Sequence, residues 1–261
     1  MPSEPLNQIY AAALAAADPY QSVLHAMQLE GDRLQLDGAS YDLAAYQRIV
    51  VVGAGKATAR MALAVEALLG ERIAAGLIVV KEGHSVPLRV IEQVEAGHPL
   101  PTQAGVAATQ RILQMVRKAD AATLVICLFS GGASALLVAP VAGVTLQDKQ
   151  DVTALLLNAG ASIAELNAVR KHLSAVKGGR LARASQGAQI VALIISDVIG
   201  DKLEVIASGP TAPDSSTFAE AWAVVEKYGM REKIPLRVMA CLKRGIAGEA
   251  PETEKNLPGN V

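Results

Sequence analysis

Aromatic side chains are scarce: the 261 residues hold one tryptophan, two phenylalanines and five tyrosines. A core with so few rings has to be aliphatic and alanine-rich. The shortage of stacking platforms also argues against single-strand nucleic-acid binding. Net charge is missing too, with 24 basic against 25 acidic residues, so no overall basic field draws in DNA or anionic lipid. The two cysteines exclude a disulfide scaffold. Cys127 lies in an apolar run and Cys241 far along the chain, which reads as two reduced thiols of a cytoplasmic protein. No apolar run approaches the ~18 residues of a membrane span. The N-terminus has Glu4 but no lysine or arginine before an alanine-rich helix, so the positive region of a signal peptide is absent. What is present is a chain 51% hydrophobic and 19% charged, which folds and is long enough for one large domain or two small ones.

The periodicity reads as helices over 4–17 and 19–29, with Pro19 at a helix start, then a short alternating segment around Leu34, Leu36 and Tyr41 that suits a hairpin. Continuous apolar runs at 49–52, 76–80, 123–129 and 190–195, with a weaker one at 90–96, read as buried strands. Helical patterns follow at 56–69, 102–117, 146–157, 162–176, 218–228 and 235–244. Fully apolar strands alternating with helices imply an α/β fold, a three-layer sandwich whose mostly parallel sheet is covered on both faces. The last eleven residues, 251–261, are polar and proline-containing and read as a linker.

Ligands of such sheets bind at the carboxyl ends of strands, where three loops carry unusual chemistry. In Gly53-Ala54-Gly55-Lys56-Ala57, two glycines allow close approach to a ligand and Lys56 brings a charge to a helix start. A lysine there opposes the helix dipole, which favours a bound anion over a plain tight turn. The loop is neither a Walker A loop nor a full GxGxxG, since Thr58 replaces the third glycine. The second loop, Ser130-Gly131-Gly132-Ala133-Ser134, offers hydroxyls and backbone N–H groups to phosphate or carboxylate, or is simply a capped turn. It lacks the GxSxG of a serine-hydrolase elbow. The third loop holds Asp197 and Asp201, then Ser208 and Gly209. Its carboxylates suit Mg²⁺ through waters and a substrate phosphate, or else cap a long turn.

A basic stretch adds Asn167, Arg170, Lys171 and His172, then Lys177, Gly178, Gly179 and Arg180. Arg170 and Lys177, seven apart, share a helix face. So many cations close together in a neutral protein point to a focused anion site, whereas Arg183 reads as solvated surface. No His/Cys/Asp spacing makes a zinc site.

Taken in order, these segments resemble the type-2 glycerate kinases over about residues 5–247. The carriers are the loops above together with Gly97-His98-Pro99, Glu165-Leu166-Asn167, Val169–Ser174, Lys177–Ala182, Ser196-Asp197-Val198 and Ile206–Thr211. The resemblance implies a Rossmann-like domain at 1–250, a linker at 251–261, and a smaller C-terminal domain absent from this chain, with the active site in the cleft between the two. It implies phosphoryl transfer from ATP to glycerate with Mg²⁺, giving 2-phosphoglycerate. Lys56 matches the family's catalytic lysine, and a functional arginine belongs to the second domain. Thr102 stands where the family often has aspartate, and threonine can cap the following helix as well.

The roles that follow are Lys56 at the transferring phosphoryl group and Asp197, with Asp201, at Mg²⁺ or the acceptor proton. Gly53, Gly55, Ser130, Gly131, Gly132 and Ser134 cradle phosphate or carboxylate, and Arg170, Lys177 and Arg180 bind the acid or steer phosphate. Asn167, Gly178, Gly179, Ser208 and Gly209 complete the site. Expected partners are glycerate and ATP, with a homodimer left open and neither nucleic acid nor membrane. Two other readings compete. One is an NAD(P)H-dependent hydroxypyruvate reductase, for which Glu82 is the only acidic residue placed for a ribose. The other is a non-catalytic metabolite-binding module.

Overall fold

The computed structural model describes residues 4–261. Its centre is a five-stranded, all-parallel sheet. The strands of this sheet are β4 (Arg48–Ala54), β5 (Ile73–Lys81), β6 (Ile91–Ala96), β7 (Thr123–Ser130) and β8 (Gln189–Ile195), in the order β6-β5-β4-β7-β8. The apolar runs of the inner strands β4, β5 and β7 have no polar alternation because both faces are covered. Val50, Val52 and Ala54 of β4 pack on one side with Val125, Cys127 and Phe129 of β7. Ile49 and Val51 face the other side with Leu124, Ile126 and Leu128. Helices α4 (Gln103–Arg117), α5 (Ala133–Leu136) and α8 (Arg180–Arg183) contribute to the first face, and α2 (Pro19–Ala26) and α3 (Thr58–Leu69) to the second. The expected α/β sandwich is the fold.

Beside the second face lies a small antiparallel sheet of β1 (Met27–Glu30), β2 (Arg33–Leu36) and β3 (Ala39–Asp42). The helix expected over 19–29 stops at Ala26, because Met27–Glu30 pairs with β2, Met27 opposite Leu36. Hairpin pairing thus overrides the helical pattern. Before it, α1 (Glu4–Ala16) is exposed along its whole length. No helix among the described residues is long and apolar enough to cross a membrane.

A third apolar cluster joins α6 (Leu146–Asn158), α7 (Ile163–His172), α9 (Phe218–Lys227) and α10 (Leu236–Ile246) into a helical lobe. Helices α6, α7 and α9 each start with a reciprocal capping box, led by Thr145, Ser162 and Thr217. Helix α7 ends at His172 rather than at 176.

The tail at 251–261 does not hang free as its composition suggests. The Glu254 N–H donates to Gly178 O and the Ile190 N–H to Asn260 O, and Thr253 is buried. His172, wholly buried, joins it through Nε2 to Glu252 at 2.9 Å. The side chains of Glu252, Lys255 and Asn260 find partners in the folded domain.

Candidate active site

The sheet turns from one winding direction to the other at β4, with β5 and β6 on one side and β7 and β8 on the other. A crevice opens at the carboxyl ends of strands beside such a switch point. Here it leads into a cavity of about 450 Å³ between the rim of the sheet and the helical lobe. Of the residues anticipated from sequence, Gly131, Gly132, Ser134, Asn167, Arg170, Lys177 and Asp197 line it.

The first two loops are locked to each other. Ser130 is buried, and its hydroxyl accepts from the Ala57 N–H at 3.0 Å and lies 3.1 Å from Thr58 Oγ1. Gly55, at φ 147°, leaves no room for a β-carbon against Ser130 Oγ, and one at Gly53 would collide with Leu128 O. Ser130, Gly53 and Gly55 therefore build the rim from beneath and do not face the cavity. Lys56 comes out of this brace exposed. Its N–H donates to Gly131 O at 2.9 Å, and its side chain lies against Gly132. Across the same loop, the Asp197 carboxylate packs directly on Gly131, where a β-carbon would overlap Oδ2.

Deeper in, three cations meet. The carbonyl of Ser134 accepts from Arg170 Nη2 at 2.9 Å and from Lys177 Nζ at 3.0 Å, and Lys177 also reaches Ala207 O at 3.3 Å. Lys149 of α6, which also lines the cavity, donates to Leu173 O at 2.9 Å and Arg170 O at 3.3 Å. None of the three has a carboxylate within 4.0 Å among the described residues. Burial, reinforced by neighbouring Arg170, pushes the Lys149 amine down to about 7 and the Lys177 amine well below its usual range. Arg170 is lowered by burial alone.

The backbone holding these groups is strained. Ala207, Ser208 and Gly209 all have positive φ, of 55°, 63° and 63°. Such residues cost about 1–3 kcal/mol each where they are not glycine, and persist only where the surroundings fix them. Here the Ser208 hydroxyl donates to Asn167 Oδ1 and lies 2.9 Å from Ser134 Oγ, while Gly178 and Gly179 donate their N–H groups to Ser208 O and Gly209 O. Ser208, Gly209, Gly178 and Gly179 are thus framework behind the cavity wall.

Other anticipated residues fall elsewhere. Arg180 donates to Ser174 O and Pro251 O and does not line the cavity, so it fastens the tail. Lys171 forms a buried pair with Asp214 at 2.9 Å. Arg170 and Lys177 share no helix, since α7 ends between them; they meet through Ser134. Asp201 is exposed in a turn at φ 48° and lies off the cavity lining. Thr102 stands at the N-cap of α4 but its hydroxyl accepts from the Gly97 N–H and caps nothing.

Among the described residues no three His, Cys, Asp or Glu side chains cluster as a protein-made metal cage. Asp197 is the one carboxylate lining the cavity. That donor set fits Mg²⁺ held by one carboxylate together with waters and phosphate oxygens, and does not fit a cation held by protein alone.

Among the lining residues given no site role from sequence are His98 and Lys149. His98 lies over Gly132, and burial together with Lys56 and Lys81 lowers its imidazole below the ordinary range. Lys149 had a legible signal: with Val152 and Leu156 it falls on the buried face of α6, at a spacing where an apolar residue belongs.

The family described as "Domain of unknown function (DUF4147)" matches residues 5–243. A protein from Pyrococcus horikoshii named "Glycerate 2-kinase" is 42% identical over 249 residues, covering 95% of this chain and 56% of its own length. One from Agrobacterium vitis, with a provisional name as a hydroxypyruvate reductase, is 44% identical over 240 residues, covering 92% of this chain and 51% of its own. The crystal structure of the PH0495 protein from Pyrococcus horikoshii superposes with a TM-score of 0.91 at 38% identity, over 100% of this chain and 60% of that one. The chain spans about half the length of the curated relatives it matches.

Proposed function

The chain belongs to the DUF4147 family, the family of the type-2 glycerate kinases, and from that premise we propose that it transfers the γ-phosphoryl group of ATP to glycerate, giving 2-phosphoglycerate. In this reading the Rossmann-like unit of residues 1–250 is one wall of the active-site cleft. The tail at 251–261, packed on that wall, leads toward a second domain, in keeping with relatives about twice as long. The observation that carries the reading is the cavity at the strand rim, where Lys149, Arg170 and Lys177 meet without a carboxylate among them, Asp197 stands across the glycine loop, and Lys56 lies against that loop.

Phosphoryl transfer needs positioning and charge neutralisation more than covalent chemistry. Lys56, exposed and without an ion-pair partner among the described residues, neutralises charge on the transferring phosphoryl group. The backbone of Gly131 and Gly132 approaches the phosphates closely because neither residue has a side chain. Arg170 and Lys177 hold the acid, their donors aimed by Ser134 O and Ala207 O. Asp197 would hold Mg²⁺, which would supply neutralisation of phosphate charge.

One observation favours a reductase, the name of the Agrobacterium vitis relative. Against it, Thr58 is wholly buried and bonded to Ser130, in place of the third glycine of a dinucleotide loop. Parallel assays of the full-length protein separate the readings. Glycerate-dependent ADP release with no NAD(P)H oxidation by hydroxypyruvate is expected. The reverse result establishes the reductase, and ligand binding without either reaction establishes a non-catalytic module.

A further inference from the structure

Lys149 is 6% exposed, on the buried face of α6. Its two carbonyl partners lie at the C-terminal end of α7, so part of its work is to satisfy that helix end. That role does not account for its surroundings. An ammonium has three donors and Lys149 uses two within the protein; Lys177 likewise uses two, and Arg170 uses one guanidinium donor on Ser134 O. The groups facing Lys149 are Arg170 from α7, Arg180 from α8 and the Cys241 thiol from α10. Lys177 faces Arg170, Lys149 and Lys171. Buried positive charge with free donors, open to a cavity and unmatched by carboxylate, is stabilised by an anionic ligand.

We propose that Lys149 is the specificity-determining contact of this cavity: with Arg170 and Lys177 it receives the carboxylate of a small hydroxy acid, so that the acid is accepted and its neutral analogue is not. The identity of the acid as glycerate rests on the kinase reading; the selectivity for a carboxylate does not. A bound carboxylate favours the charged amine, so above pH 7 binding requires uptake of a proton. Apparent affinity for the acid then falls by up to about tenfold per pH unit. Arginine at the same position stays charged and removes the part of that fall that Lys149 contributes.

The test compares wild type, Lys149→Met and Lys149→Arg in the full-length protein, with glycerate and glyceramide as ligands. Binding is measured by calorimetry and KM and kcat by ADP release, with thermal unfolding recorded for each variant. Lys149→Met is expected to raise Kd and KM for glycerate about 10- to 100-fold, leave kcat within about threefold, and leave glyceramide binding unchanged. Lys149→Arg is expected to restore glycerate binding and to make its weakening from pH 7 to 9 shallower than in wild type. Unchanged glycerate binding in Lys149→Met, equal weakening of both ligands, or no glycerate binding by wild type overturns the proposal. Glycerate binding by wild type without ADP release overturns the kinase reading instead, and the comparison of acid with amide still decides the role of Lys149.

Discussion

Arg170 Nη2 and Lys177 Nζ converge on a single acceptor, the main-chain carbonyl of Ser134, at 2.9 and 3.0 Å. That oxygen joins the loop after β7 to the helical lobe and sets two cations side by side without a counter-ion. Their hydrogen bonds to that carbonyl fix both at the cavity wall.

Replacing Lys177 by methionine keeps the volume and removes the charge. Relief of a buried amine offsets the loss of bonds to Ser134 O and Ala207 O, so stability should change by no more than about 2 kcal/mol. Glycerate-dependent ADP release should fall by at least about 100-fold. Thermal unfolding beside steady-state kinetics checks both halves.

Gly131 has no space for a methyl group beside the Asp197 carboxylate. Gly131→Ala should therefore leave the sheet intact and displace Asp197. A displacement of about 1 Å costs on the order of 100-fold in rate. Circular dichroism like that of wild type with such a loss is the expected outcome; undiminished activity would show that the Asp197 position is not critical.

Ser130 offers the opposite contrast. Its hydroxyl serves the Ala57 N–H and Thr58. Ser130→Ala should cost about 1–3 kcal/mol in denaturant unfolding, the penalty of a buried donor left unsatisfied. The folded fraction should keep turning over, because no covalent step passes through this residue.

The buried amines make stability pH-dependent. Lys149 titrates near 7 when folded and near 10.5 when unfolded, and Lys177 shifts in the same direction. Between these values the unfolded chain binds more protons, so unfolding free energy rises with pH from about 7 upward. Cys127, pushed up to about 12 by burial, acts in the opposite direction above its unperturbed value near 9 and offsets part of the rise there. Chemical denaturation between pH 7 and 8.5 should show the rise in wild type and a shallower one in Lys149→Met. Identical slopes would contradict the assignment.

The sheet was legible in sequence because the apolar runs of its inner strands β4, β5 and β7 are buried on both faces, and the three rim loops follow from the strand ends. Contacts made by distant segments were not legible. Ser130 reads as a phosphate-facing hydroxyl and is instead the brace between two loops. Arg180 reads as an anion ligand and instead bonds Pro251 O, because the tail returns to the domain. Conversely, Lys149 looks like an ordinary helix-surface lysine until its phase against Val152 and Leu156 is taken seriously. Spacing reports which residues are chemically able to act, whereas long-range packing decides which of them face the cavity.

The most direct measurement is glycerate-dependent ADP release by Lys56→Ala in the full-length protein, with glycerate binding followed by calorimetry. Lys56 touches the rim loop only through its backbone and an exposed side chain, so the fold and the acid-binding cations stay in place. The account predicts turnover reduced at least about 100-fold with glycerate affinity within a few-fold of wild type. Near-normal turnover in that variant would contradict it.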